Sequence, residues 1–379
     1  MLKRYLRQAV QEDLKAKMVF VGGPRQVGKT TFALSLLGRG ASERSPAYLN
    51  WDDLADRERM LRGVLPANQP MLILDEIHKF SDWRSLVKGY YDKNKGHVSI
   101  LVTGSARLDA YRKGGDALQG RYHYYRLHPF SLGEVDRTYG ASSLQHLLKF
   151  GGFPEPYTVA TERAHRRWQR EMFARVTHED VRDLEQVREH TKLELLLHHL
   201  PDCVGSPLSV NSLRNLLQVS HESVERWIGI FENLYVVFRI PPMGGKRIRA
   251  VRKEQKLYFR DWSRITAAGP RFENMVGAHL LKYCDFVADT EGYSMELRYL
   301  RDTDGREIDF VVIRDGRPEF AVECKCGEKE IAPASRYFRE RTAIPRFYQA
   351  HLGKSDYGNE RADTRVLPFA TLCRELALP

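Results

Sequence analysis

The sequence has no stretch of roughly 18 uninterrupted apolar residues, so nothing in it reads as a membrane-spanning helix. Its first residues, with Lys3, Arg4 and Arg7 among acids, lack the apolar centre of a secretory signal, and secretion is not expected. Cysteine is scarce. Cys203, Cys284, Cys324, Cys326 and Cys373 form no Cys-x-x-Cys pair and have no His at zinc-ligand spacing, which points to a reduced, cytoplasmic protein without structural zinc. Acidic charge is the minority: 49 Asp and Glu against 60 Lys and Arg leave a formal +11. That balance suits either a polyanionic partner or plain solubility, and only the placement of the charge decides between them. Hydrophobic residues make up 42% of the 379, enough to exclude wholesale disorder, and the length calls for two or three domains.

What is present begins with a short apolar, β-prone run, Met18 to Val21, followed at once by Gly22 and then Gly23, Pro24, Arg25, Gln26, Val27, Gly28, Lys29, Thr30 and Thr31. Gly23 through Thr30 satisfies the pattern G-x-x-x-x-G-K-[ST], and Phe32 to Leu37 continues as a helix. In that order, backbone N–H groups wrap a phosphate, the helix N-terminus adds its positive pole, Lys29 reaches the β and γ phosphates, and Thr30 ligates Mg²⁺. A second apolar run, Met71 to Leu74, ends in Asp75 and Glu76. A buried parallel strand there delivers Asp75 to the metal and Glu76 to an attacking water. A third run, Val98 to Ser105, ends in hydroxyls, so Thr103 or Ser105 either senses the γ-phosphate or caps the next helix. Arg121, after Gly120, is either an arginine finger for a neighbouring subunit or a solvated side chain. The expected fold is α/β, a P-loop NTPase parallel sheet binding ATP and Mg²⁺, with Lys29, Glu76, Ser105 and Arg121 as catalytic candidates.

The ordered set Lys3-Arg4-Tyr5, Gly23 to Thr31, Leu74-Asp-Glu-Ile-His78, Thr103-Gly-Ser105, Gly120-Arg121 and Pro129 to Glu134 resembles a family of prokaryotic AAA+-type ATPases. The resemblance implies an ATPase domain followed by a winged-helix segment and a C-terminal nuclease-like domain of unsettled function.

The middle of the chain fits that order. Around Trp168 and Phe173 cluster Arg163, Arg166, Arg167, Arg170 and Arg175, either a lid helix or a solvated amphipathic one. Ser209 to Ser220 reads as a helix with Leu213, Leu216 and Leu217 inward, and Ser220 to Phe231 as a second helix starting on a Ser cap. A strand from Leu234 to Ile240, a Gly-Gly turn and another strand complete a winged helix-turn-helix pattern. Between 241 and 260 stand Lys246, Arg247, Arg249, Arg252, Lys253, Lys256 and Arg260 against Glu254 alone, so over half of the net charge falls on the wing. With Tyr258, Phe259 and Trp262 nearby, that cluster either holds a phosphate backbone and stacks an unpaired base or is a solvated face.

In the last third, Glu307 to Ile313 and Glu319 to Lys325 flank an Asp315-Gly316 turn and read as a hairpin that sets Asp309 nearly opposite Glu323, with Lys325 on the same face. Two carboxylates on adjoining strands suit Mg²⁺, and a neighbouring Lys suits orienting or deprotonating water. With Glu273 on the preceding helix, the set resembles the restriction-endonuclease and Holliday-junction-resolvase fold, domains that often keep the shape and lose the chemistry. Expected boundaries are 1–150 for the ATPase, 151–265 for the helical and winged segment, and 266–379 for the nuclease-like α/β part. The expected function is ATP hydrolysis coupled to action on DNA, with a homo-oligomer if Arg121 acts on a neighbour. The alternative is a nucleotide-dependent switch or assembly protein whose last domain only binds.

Overall fold

The structure, a computed structural model, describes residues 2–66, 68–105, 118–136, 138, 140–181, 189–244 and 254–379. Two compact units divide the chain: Met1–His128 with Asn233–Tyr235, and Pro129–Glu232 with Val236–Pro379.

The first unit is built on five parallel strands, β1 (Met18–Gly22), β2 (Tyr48–Asn50), β3 (Met71–Asp75), β4 (Ser99–Gly104) and β5 (Tyr122–Arg126), in the order β2-β3-β4-β1-β5. The apolar runs are the central strands because a parallel sheet covered on both faces buries every residue: all five positions of β1 are buried, as are the last four of β3. Phe20, Leu74, Ile100 and Val102 join Trp83 and Val87 of the helix Trp83–Asn94 in one core. The glycine loop leaves the C-terminal end of β1 and enters the helix Lys29–Leu37. Asp75 and Thr103, paired in register, stand at the same edge, which is where ligands of such sheets bind.

Residues 129–150 had been expected with the ATPase, but they pack inside the second unit. Phe130 N–H donates to the Gly152 carbonyl at 2.6 Å, the Trp262 indole N–H to the Leu147 carbonyl at 2.9 Å, and Lys282 Nζ to Ser131 Oγ at 2.8 Å. The expected divide near 265 is likewise crossed by packing. The side chain of Asn274 accepts from the Phe259 N–H at 2.8 Å and donates to its carbonyl at 2.7 Å, tying the strand to the long helix that follows.

Within the second unit, helices Val210–Leu217 and His221–Asn233 are joined by three residues and followed by an antiparallel pair, β6 (Val237–Ile240) and β7 (Lys256–Phe259). Ser209 and Ser220 accept backbone N–H groups of Ser212 and Ser223 and so cap the two helices. Leu213 and Leu217 are buried as expected, but Leu216 is 57% exposed: the apolar stripe is narrower than its three leucines suggested.

Past the long helix Ala268–Glu291 runs a mixed sheet, β8 (Met295–Arg301), β9 (Glu307–Arg314), β10 (Arg317–Lys325), β11 (Phe347–His351) and β12 (Arg365–Pro368), ordered β12-β11-β10-β9-β8. β8, β9 and β10 are antiparallel neighbours, whereas β10, β11 and β12 run parallel, with the helix Pro333–Arg341 in the crossover. The β9–β10 turn has Asp315 at φ 49° and Gly316 at φ 74°, the mirror-image turn that matches strand twist and favours Asp-Gly. The register Phe310 to Val322, continued one residue, sets Asp309 beside Glu323 as expected.

Candidate nucleotide site and a carboxylate cluster

Gly23 follows β1 because nothing larger fits: a Cβ there would lie 2.3 Å from the Leu127 carbonyl oxygen. Gln26 (φ 62°) and Gly28 (φ 92°) turn the loop through left-handed conformations before the helix begins. Buried Arg4 donates from Nη1 to the Val27 carbonyl at 2.8 Å and from Nη2 to the His128 carbonyl, so the N-terminal segment holds the loop from behind. Lys29, also buried, donates from Nζ to the carbonyls of Gly23 and Pro24 at 3.0 and 2.9 Å. Its amino group thus points into the loop that is built to surround a phosphate. Thr31 is exposed on the outer side of the helix.

Asp75 gathers hydroxyl groups. Thr30 Oγ1 and Tyr48 OH donate to its Oδ2 at 2.6 and 2.7 Å, and Thr103 Oγ1 donates to its Oδ1. A carboxylate next to a loop threonine hydroxyl is the oxygen donor set that a hydrated Mg²⁺ takes, so the residues fit the ion. Tyr48 carries no sequence motif. It reaches Asp75 because β2 pairs with β3, with Asn50 beside Asp75. Burial and the adjacent carboxylate push its phenol well above the ordinary value, so it stays a hydrogen-bond donor.

Glu76 sits just beyond the strand at φ 53°, its N–H bonded to the Thr103 carbonyl at 3.0 Å. Ser105 Oγ donates to Glu76 Oε2 at 3.1 Å, and His78 Nδ1 lies 3.6 Å from the same oxygen. Burial holds the His78 imidazole below its usual pKa, with Lys29 and Lys79 adding to the effect, so it is neutral beside the carboxylate. The two hydroxyls at the end of β4 therefore divide their work, Thr103 on Asp75 and Ser105 on Glu76. Arg121, partly exposed, forms an ion pair with Asp92 at 3.1 Å.

The second constellation lies wholly in the second unit. Glu273 Oε1 accepts from Tyr258 OH at 2.7 Å, Asp309 Oδ2 from the Cys324 N–H at 2.8 Å, and Glu323 Oε1 from Lys325 Nζ at 2.6 Å. One member was read wrongly from sequence: Lys256, counted with the wing, has a side chain that is 0% exposed and lies 3.1 Å from Glu273, 2.5 Å from Glu307 and 3.6 Å from Asp309. The Lys256 ammonium thus lies beside Asp309, one of the two carboxylates expected to hold Mg²⁺, and among the described residues no group of three or more His, Cys, Asp or Glu is arranged to hold a metal ion. Stacking on an unpaired base is overturned for Tyr258, Phe259 and Trp262, all buried to within 1% of completely because they form the core between β7 and the long helix. Arg260, another of the basic residues, is buried near Asp285. Lys246, Arg247, Arg249, Arg252 and Lys253 lie outside the described residues.

None of the five cysteines is disulfide-bonded, and among the described residues no helix is long and apolar enough to cross a membrane.

Three family models match in succession: "AAA domain" over residues 15–136, "Domain of unknown function (DUF8612)" over 141–271 and "Domain of unknown function (DUF4143)" over 268–372. Among curated relatives, an uncharacterized protein of Methanocaldococcus jannaschii is 22% identical over 264 residues, 61% of this chain and 59% of its own length. An uncharacterized protein of Mycobacterium tuberculosis is 24% identical over 329 residues, 83% of this chain and 70% of its own. The chain thus spans about six-tenths of the first relative. Among solved structures, the Aeropyrum pernix Orc1 protein in complex with DNA aligns at 13% identity and TM-score 0.36, covering 74% of this chain and 95% of that one. The Thermotoga maritima RuvB Holliday junction branch migration motor aligns at 17% identity and TM-score 0.30, covering 62% and 87%. Both likenesses are distant. The glycine loop on a five-stranded parallel sheet, together with the family match over 15–136, makes the first unit a P-loop domain of AAA type.

Proposed function

We propose that this chain hydrolyses ATP with Mg²⁺ and couples the cycle to DNA. The observation that carries the hydrolytic half is the pair Asp75 and Glu76 at the end of β3, with Asp75 joined to Thr30 of the glycine loop at 2.6 Å. The loop amides and Lys29 bind the β and γ phosphates. Thr30 and Asp75 would hold Mg²⁺, which when bound would neutralise negative charge on the β and γ phosphates. Glu76, oriented by Ser105, accepts a proton from the attacking water as its oxygen bonds to the γ-phosphorus and the bond to ADP breaks. An adjacent carboxylate for water, rather than a seat for an acceptor alcohol, favours hydrolysis over small-molecule phosphorylation.

The DNA half is supported by the capped helix pair and following two-stranded sheet, which fit a winged helix, and by the five basic residues that the sequence places between 246 and 253. The mixed sheet with Asp309, Glu323 and Lys325 supports a nuclease-like shape for residues 266–379 within the second unit. Arg121 would complete a neighbour's site in a homo-oligomer, exchanging its bond to Asp92 for a γ-phosphate.

Steady-state ATP turnover is measured with and without single-stranded, duplex and branched DNA. Lys29→Ala is expected to abolish turnover, and Glu76→Gln to retain bound ATP without hydrolysing it. Unchanged turnover in both refutes the hydrolytic half. Turnover that no DNA alters, with no salt-sensitive DNA binding, transfers the chain to the class of protein-directed switches.

A further inference from the structure

The helix Glu162–Arg175 of the second unit has an inner side that packs and an outer side of nearly pure positive charge. Inward, Trp168 is buried against Phe153, with 5.1 Å between ring centroids, and Phe173 is half-buried under the Arg264 guanidinium. At about 3.6 residues per turn, Arg163, Arg166, Arg167 and Arg170 fall together on the opposite side, and all four are exposed. Acids stand only at the borders of that face. Glu162 pairs with Lys149 at 2.7 Å and with Arg166 at 3.7 Å, whereas Glu171 forms no ion pair among the described residues.

Arg163, Arg167 and Arg170 therefore have neither a hydrogen-bond nor an ion-pair partner among the described residues. Like charges three and four residues apart on a helix repel, so this row works against the helix that carries it. A ligand with negative charge along the whole row removes that cost. The helix pair offers no comparable surface. Its second helix, His221–Asn233, is the one a helix-turn-helix sets in a groove, yet it carries Glu222, Glu225 and Glu232 against Arg226 alone. Arg239 holds Glu225 and Glu232 at 2.6 and 2.8 Å, which leaves Arg226 balanced by Glu222 one turn away.

We propose that the arginine face of the helix Glu162–Arg175 holds the phosphate backbone of duplex DNA, through Arg163, Arg167 and Arg170. This rests on the DNA half of the reading above and gives it a surface outside the helix pair. A protein partner would need apolar or aromatic side chains at the centre of the contact. Among the exposed residues of this helix, only Ala174 is apolar. A phosphate backbone asks instead for cations at intervals and carries no sequence information directly. From Arg163 to Arg170 the helix rises roughly 10 Å, about the axial length of three phosphates on one strand. Arg166, tied to Glu162, adds less.

Binding of the full-length chain to a fluorescein-labelled duplex is measured by anisotropy across salt, beside a triple variant carrying Arg163→Gln, Arg167→Gln and Arg170→Gln. The three side chains are exposed and unpaired, so the variant should melt with the wild type. The slope of log affinity against log salt is expected to fall by about 2.7, at about 0.9 for each of three phosphates, and affinity at about 0.1 M salt by more than about tenfold. A control triple, Arg39→Gln, Arg44→Gln and Lys95→Gln, removes the same charge from exposed positions of the first unit and should keep the wild-type slope. A wild-type slope in the Arg163 triple overturns the inference and leaves the face to solvent or to an acidic protein, while the DNA half stands. Equal flattening in both triples reduces the effect to net charge and overturns it as well. A wild-type chain that binds no duplex at any salt refutes the DNA half itself and the inference with it.

Discussion

Asp75 accepts three hydroxyl groups from three separate elements, and two of its donors would remain after Mg²⁺ binds through Thr30. Tyr48 and Thr103 then act on the carboxylate and not on the nucleotide, fixing which oxygen faces the ion. Tyr48→Phe keeps the ring and deletes one bond to a metal-holding group, a loss that typically weakens metal affinity about tenfold or more. The Mg²⁺ concentration giving half-maximal ATP turnover should rise by about that factor, with turnover at saturating Mg²⁺ much less affected. An unmoved Mg²⁺ curve would show that Tyr48 only fills space. Ser105→Ala should instead lower turnover without shifting the Mg²⁺ curve, because its bond goes to Glu76. Lys29, Asp75 and Glu76 were legible as a motif because the chemistry demands those residues at the end of a strand. Tyr48 was not legible, since only the lateral pairing of β2 with β3 brings it near.

Between elements, the long helix Ala268–Glu291 decides the fold of the second unit by how closely it approaches the sheet. A Cβ on Gly277 would stand 2.8 Å from the ring of Phe310, so the helix lies on β9 with no room for a side chain. Gly277→Val should cost roughly 1–3 kcal/mol by overpacking, read from the shift in urea midpoint. Two residues further along the helix, His279 accepts the Leu132 N–H on Nε2 at 3.1 Å and meets the Met275 carbonyl through Nδ1 at 2.8 Å, which requires the neutral Nδ1–H tautomer. Burial lowers its pKa to about 4. The unfolded chain therefore binds this proton first, near its ordinary value of about 6.5. Stability from His279 is present above that pH and declines as the pH falls toward the folded value, by about 2 kcal/mol between pH 7 and 5. His279→Gln keeps an acceptor without the titration and should lose correspondingly less over the same interval. Equal losses in the two proteins would remove His279 as the cause. The hairpin and its register were readable from Asp315-Gly316 and the flanking alternation, because turn type fixes register locally. That Tyr258, Phe259 and Trp262 are core was not readable: a short aromatic strand beside basic residues looks the same whether a helix covers it or not.

Over the whole molecule, the same basic cluster changes meaning once each charge is placed. Of the seven basic residues between 241 and 260, Lys256 neutralises the carboxylate cluster and Arg260 is buried near Asp285, so neither is available to a polyanion. What remains is Lys246, Arg247, Arg249, Arg252 and Lys253, all between β6 and β7. Charge sets DNA affinity through released counter-ions, with a slope of about 0.9 per neutralised phosphate in a plot of log affinity against log salt. If these residues grip the backbone, reversing Lys246, Arg247 and Arg249 to Glu should flatten that slope by about three and weaken duplexes of every sequence alike. Lys256 and Arg260 should contribute nothing to the slope, because their partners are internal. Fluorescence anisotropy across salt with the triple variant measures this directly. A slope unchanged by the reversal would place DNA binding elsewhere on the chain, and loss of ATP turnover without added DNA in the same variant would show that these residues serve the nucleotide cycle and not a nucleic acid.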